Sequence, residues 1–163
     1  THLAFYAGWP NAWAAFRAAV EGYKDDTGTD GGLFGLGAPN EAYAQYFTGR
    51  SYLKPLTDPQ ETIFLANVTF EPGCRNYWHI HHASKGGGQI LLCTNGRGWY
   101  QEWGEDAREL NPGDVVFIPA GVKHWHGAAK DSWFGHVAFE APGEGCSNEW
   151  CEPVDDGQYG ALE

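Results

Sequence analysis

His79-Ile80-His81 is the spacing in this chain with the plainest chemical meaning. Alternate side chains of an extended strand point to one face. Two imidazoles would therefore project together, with Trp78 and Ile80 packing on the other side. Such a pair can grip one metal ion. Gln89 opens the next apolar run and offers an amide oxygen, and a second His-x-His, His124-Trp125-His126, follows Pro119-Ala120-Gly121. A centre built from His79, His81, Gln89 and His124 would have four neutral donors. An ion held this way keeps close to its full double charge and is a stronger Lewis acid than one beside a carboxylate. Imidazole and amide oxygen suit Mn, Fe, Ni, Co, Cu or Zn, and spacing does not choose among them. The alternative is that these imidazoles are hydrogen-bonded core residues.

Further polar residues fall on the same expected faces. His126 shares its strand face with His124 and should point into the same cavity. His136 does so on a later strand, together with Ala138 and Glu140. A neutral histidine beside a bound substrate is a suitable general base near neutral pH. The plainer readings are a packed, backbone-bonded His126 and a strand-end surface carboxylate at Glu140. His82 would face away from His81 and take a supporting or solvent role. Tyr77, Trp78, Phe117 and Trp125 read as packing residues.

These residues need strands to position them. Phe64, Ala66, Val68 and Phe70 alternate as on one face of a strand. Later strands are expected at Gln89–Thr94, Gly98–Trp103, Arg108–Leu110, Val115–Ile118, Lys123–Gly127 and Trp133–Glu140. Glu71-Pro72-Gly73, Asn95-Gly96 and Asn111-Pro112-Gly113 are turn signals. Short strands at this spacing indicate a sandwich or barrel. Ahead of them, Ser51–Leu56 reads as an edge strand and Pro39–Phe47 as a short helix. Gly28–Gly37 reads as a linker or mobile loop. Trp9, Trp13, Phe16 and Val20 recur at helical spacing after Pro10. The acidic tail from Gly143 is expected to wrap the outside.

The arrangement of these motifs resembles the cupins. Gly73, His79-x-His81, Gln89 and Gly96 are similar to the first cupin motif, and Gly113, Pro119-x-Gly121 and His124 to the second. That pattern usually has Glu where this chain has Gln89. The resemblance is tightest to bacterial cupins with manganese-dependent hydroxynitrile lyase activity. It is carried by Val68–Gly73, Trp78-His79-x-His81, Gly113–Val116, His124–Ala129 and Gln158-Tyr159, and spans roughly Thr48 to Tyr159. It implies an all-β double-stranded β-helix, a jelly-roll barrel, with short N-terminal helices. It divides the chain into a helical segment and linker at 1–47 and a barrel with its tail at 48–163. It implies Mn or Fe at His79, His81, Gln89 and His124. His126, His136 and Glu140 match active-site positions, with Glu140 standing where that group has Gln. Ala66 and Val68 match small residues that set pocket size. The resemblance also implies a homodimer or higher homo-oligomer, which would cover exposed sheet edges. One departure is the run His82–Gly88 before Gln89, which reads as a longer, flexible loop at the barrel mouth. The segment from His2 to Trp13 is similar to the last helices of carboxymuconolactone decarboxylase domains, without that family's catalytic part.

The function these implications favour is a metal-dependent lyase that cleaves a C–C bond in a small oxygenated molecule. The rivals are a cupin dioxygenase, a uronate-type isomerase and a non-catalytic metal-assisted binding module. Composition narrows the partners. The 163 residues suffice for one domain with a real core. A formal net charge of −11 argues against nucleic acid and anionic membranes, which require a basic surface. No apolar run approaches the length of a membrane span. Cys74, Cys93, Cys146 and Cys151 lack the spacing of a zinc site and read as free thiols of a reducing, cytoplasmic setting. A Cys146–Cys151 bridge is the alternative. The chain opens on Thr1 and contains no Met, as expected of a processed or trimmed piece.

Overall fold

The computed structural model describes residues 31–162 together with Ala14. The helical pattern after Pro10 and the start of the Gly28–Gly37 run lie outside these residues. In chain order the strands are β1 (Ala38–Pro39), β2 (Phe47–Thr48), β3 (Ser51–Pro55), β4 (Ala66–Phe70), β5 (Arg75–Asn76), β6 (His79–His82), β7 (Lys85–Gly86), β8 (Gln89–Gly96), β9 (Gly98–Glu102), β10 (Arg108–Leu110), β11 (Val115–Ile118), β12 (Lys123–Ala128), β13 (Phe134–Glu140), β14 (Gly143–Glu144) and β15 (Ser147–Trp150). Gly32–Phe34 and Glu41–Tyr46 are 3-10 helices, and a one-turn α-helix spans Asp156–Gly160. Among the described residues no helix is long and apolar enough to cross a membrane.

Two sheets form the double-stranded β-helix. One has the order β1-β3-β4-β13-β8-β11; the other runs β10-β9-β12-β5-β2, with β6 also on β12 and β15 on β6. Phe70, Leu91, Cys93 and Phe134 of the first sheet meet Tyr100, Leu110 and Ala128 of the second in the main core. A second apolar cluster, Trp78, Trp125, Val154 and Tyr159, lies on the other face of the second sheet. Strand alternation explains the split. Trp125 sits between His124 and His126, so it points away from both.

Several segments depart from the expected pattern. Phe64 precedes β4 and is 40% exposed, but it lines the same cavity as Ala66, Val68 and Phe70. β3 is not an edge, because it lies between β1 and β4. The expected helix near Pro39–Phe47 is the 3-10 helix Glu41–Tyr46. Phe117 is exposed on β11, at the open edge of its sheet, instead of packed. The run before Gln89 is held: β7 pairs with β14, and Ser84 Oγ donates to the Glu144 carbonyl at 2.9 Å. The tail does more than wrap the outside. It supplies β15 as the neighbour of β6, and Tyr159 Oη donates to the Ala128 carbonyl at 2.7 Å. Cys74, Cys93, Cys146 and Cys151 are all free.

The Asn95-Gly96 signal marks a crossover between sheets, not a hairpin. β8 ends at Gly96 in one sheet and β9 starts at Gly98 in the other. Gly96 has φ of 67°, and a Cβ there would meet the Trp133 carbonyl oxygen at 1.8 Å. Gly96→Ala should therefore lower the unfolding free energy by roughly 1–3 kcal/mol for the left-handed backbone alone. The clash adds to this. Urea unfolding measures the loss, and a midpoint equal to that of the parent chain would contradict it.

Candidate metal centre

β6 and β12 run antiparallel, with His79 opposite His124. Directly opposed residues share a face, and both rings turn inward, with centroids 4.2 Å apart. Each ring is anchored in the same way. His79 Nδ1 lies 2.9 Å from the Tyr77 carbonyl oxygen, and His124 Nδ1 lies 2.9 Å from that of Val122. A carbonyl only accepts, so each Nδ1 carries the proton and each Nε2 keeps its lone pair. Burial drives the His79 pKa well below its ordinary value, and the neighbouring His124 adds to the effect. Burial lowers His124 to about 4. Both rings are therefore neutral near pH 7, as metal ligands must be.

Gln89, at the start of β8, reaches these rings across the cavity. Its Oε1 lies 3.2 Å from His124 Nε2. His81 follows His79 on the same face, with ring centroids 5.2 Å from His79 and 5.6 Å from His124. His81 is buried, and neither of its ring nitrogens has a hydrogen-bond partner. A buried polar atom left unpaired costs about 1–3 kcal/mol. An ion held by His81 would satisfy an atom that nothing in the protein satisfies. The donor set is neutral and nitrogen-rich, so the residues fit a divalent transition metal. Of the expected ligands, Gln89 stands against the His79 and His124 pair, and His81 lines the same cavity outside the compact group of ring nitrogens. His126 completes that group, because one ring nitrogen each from His79, His124 and His126 lies within 4.8 Å of the others.

A cavity of about 530 Å³ opens onto this cluster. Phe47, Leu53, Ala66, Val68 and Phe70 form much of its apolar wall, and His79, His81, Gln89, His126 and His136 its polar part. His126 is buried and bonded to a side chain, where a backbone partner was the plainer expectation. Asn76 Oδ1 accepts from its backbone N–H at 2.9 Å, and Asn76 Nδ2 lies 3.1 Å from its Nε2. His136 pairs with Val68 on β4 and with Cys93 on β8. Its ring stacks on Phe134 at 4.8 Å and meets His126 edge-on at 4.9 Å. Both His136 ring nitrogens are buried without a partner, and burial lowers its pKa to about 3. Glu140 sits opposite Gln89 at the rim. Its Oε1 lies 3.6 Å from His81 Nδ1 and accepts from Asn148 Nδ2 at 2.7 Å. His81, followed by Asn148, holds its carboxyl below the usual range. His82 points outward to Glu149, at 2.7 Å.

Residue types and spacing did not single out Asn76, Asn148 or Trp150, which all line the cavity. Asn76 lies within the glycine-to-histidine run before β6, where an extended chain would have hinted at an inward amide. Asn148 and Trp150 alternate as strand residues do, but sit in a tail whose composition reads only as acidic.

Relatives of known kind identify the family and fold. The family described as a cupin domain matches residues 66–133. An (R)-mandelonitrile lyase from Granulicella tundricola is 40% identical over 127 residues, covering 77% of this chain and 94% of that protein. The chain belongs to the cupin family. A cupin-like protein from Thermotoga maritima superposes with a TM-score of 0.66 at 38% identity, covering 78% of this chain and 93% of that one. A cupin 2 conserved barrel domain protein from Rhodopseudomonas palustris shares the fold, with a TM-score of 0.53 at 19% identity and coverage of 68% and 74%.

The buried imidazoles of this cupin set its acid response. An ordinary histidine titrates near 6.5, whereas His136 in the fold titrates at about 3. As pH falls below 6.5, the unfolded chain takes up a proton that the native His136 refuses. Stability is therefore full above pH 6.5 and is lost towards the folded pKa. For metal-free protein, His136→Phe should flatten the stability profile between pH 6 and 4 by up to about 1.4 kcal/mol per pH unit. Urea unfolding at stepped pH reads this. Parallel profiles for the two proteins would contradict it.

Proposed function

We propose that this cupin is a metal-dependent lyase that cleaves a C–C bond in a small, neutral, oxygenated molecule such as a cyanohydrin. The observation that carries the reading is the floor of the cavity. His79, His81 and Gln89 line it, His124 and His126 complete a group of ring nitrogens with His79, and His136 stands by with two unpartnered ring nitrogens. The relative named a mandelonitrile lyase supports the same class of reaction. A bound Mn or Fe would supply Lewis acidity towards a substrate hydroxyl or carbonyl oxygen; Zn, Ni, Co or Cu would suit the same donors.

The chain's own residues supply the rest. Ala66 and Val68 are small and buried on β4, and they set how far a substituent can enter. Phe47, Leu53 and Phe70 hold an apolar group away from water. His136, neutral and facing the cavity, accepts the hydroxyl proton as the carbonyl forms; burial makes the ring a weak base, so this transfer would need the hydroxyl acidified by a bound ion. The bond to the nitrile carbon breaks with its electron pair on that carbon. The imidazolium then returns the proton to the departing cyanide, giving a carbonyl compound and hydrogen cyanide. His126, fixed by Asn76, meets the His136 ring and limits its tilt. Glu140 places a carboxylate at the rim, and among the described residues lining the cavity there is no Lys or Arg. That balance suits a neutral substrate and weighs against a sugar acid, so the uronate-type reading is the weaker one. In the same reading a second copy covers the open edge at β11, where Val115 and Phe117 are exposed.

Chelator-treated protein should be inactive on mandelonitrile-type substrates and regain activity with Mn²⁺ or Fe²⁺. His136→Phe with metal bound should lower kcat by about 10²- to 10⁴-fold, the usual share of general acid–base catalysis. Full activity in that variant would remove His136 from the mechanism. Oxygen uptake during turnover would replace the lyase reading with a dioxygenase. Tight ligand binding without turnover would leave a binding module.

A further inference from the structure

We propose that the tail strand β15 is a supporting wall of the metal centre, in which Trp150 and Asn148 are positioning residues for His79 and His81. The inference rests on the metal reading above.

The register places them. β15 pairs with β6 so that Trp150 lies opposite His79 and Asn148 opposite His81. Opposed residues share a face, so both tail side chains turn towards the cavity. Ser147 and Glu149 turn outward, and Glu149 meets the exposed His82. One strand of the tail thus sets one side chain against each histidine of the His79-x-His81 pair.

The two supports work differently. His79 is tied through Nδ1 to the Tyr77 carbonyl. One bond leaves the ring free to tilt about it. Trp150 removes that freedom: its indole stacks on the imidazole at 4.8 Å and 29°. Behind it, Tyr46 stacks on the indole at 4.6 Å and 4°. The phenol, indole and imidazole form one pile, anchored by the 3-10 helix Glu41–Tyr46 on one side and β6 on the other. His81 has no carbonyl anchor. The group beside its Nδ1 is the Glu140 carboxylate, at 3.6 Å. Asn148 Nδ2 donates to the same Glu140 oxygen at 2.7 Å and holds it in place. The chain Asn148–Glu140–His81 thus sets a fixed negative charge beside His81 Nδ1, an electrostatic support in place of the carbonyl hydrogen bond of His79 and His124. Partners of this kind orient ligands and tune their basicity.

The test is Mn²⁺ affinity by chelator competition on the full chain, with visible spectra of the Co²⁺-loaded protein as a report of ligand geometry. Trp150→Ala and Asn148→Ala should each weaken Mn²⁺ binding by about 10- to 100-fold and shift the Co²⁺ bands. Trp150→Phe, which keeps a stacking ring, should restore affinity and spectrum. If Trp150→Ala does not fold, Trp150→Phe and Asn148→Ala still decide. Variants with lower metal-free stability but the parent's Mn²⁺ affinity and Co²⁺ spectrum would reduce β15 to packing and overturn the inference. In that case the metal reading stands. A parent chain that takes up neither ion would overturn the metal reading itself.

Discussion

Two hydrogen bonds of one kind hold this site in place. His79 and His124 each bond through Nδ1 to the carbonyl two residues earlier, on strands paired side by side in one sheet. The partner is local, so the anchor forms as soon as each strand forms. It sets the tautomer, leaves Nε2 unprotonated, and points both lone pairs into the space between the sheets. Desolvation then keeps these rings neutral. The fold supplies low polarity, the carbonyls supply direction, and neither alone would make a ligand pair.

The same alternation organises what lies outside. Every inward histidine on β6 and β12 has an outward neighbour. Trp125, between His124 and His126, is fully buried in the outer cluster, and its Nε1 donates to Gln101 Oε1 at 2.8 Å. The tail makes this possible, because Val154 and Tyr159 cover Trp78 and Trp125. Imidazoles with unpaired nitrogens, as at His81 and His136, weaken a barrel interior. The apolar cluster on the far face of the same sheet offsets part of that loss. The second sheet is thus a two-sided element, polar where it meets the cavity and aromatic where it meets the tail.

Much of this was legible from residue order. His-x-His on a strand needs only a period of two, so the inward pairing of His79 with His81 and of His124 with His126 followed from spacing. The inward stripe of Ala66, Val68 and Phe70 followed likewise. Long-range pairing left no such trace. Nothing local in Ser147-Asn148-Glu149-Trp150 says that it will lie beside β6, and its charges disguise the alternation. The His82–Gly88 run was misread for the same reason: its glycines suggest freedom, but backbone bonds to Pro142 and Glu144 hold it. Phe117 was misread because an aromatic residue in a strand suggests burial, whereas edge position decides exposure. Phe64 kept the right parity and the right cavity, though it lies just ahead of the strand itself.

Glu140 shows how one substitution is absorbed by its surroundings. A carboxylate at the rim could compete for the metal or draw its charge down. Here it is occupied on two sides, by Asn148 and by the edge of His81. Its charge is fixed towards His81 instead of being left to the open cavity. A carboxylate beside Nδ1 favours keeping the proton on that nitrogen, which leaves Nε2 of His81 as the donor. The nearby charge still discourages anions from entering the mouth. A single side chain thereby stands beside one imidazole and adds negative charge at the mouth of the cavity. Both effects depend on the tail strand that holds it.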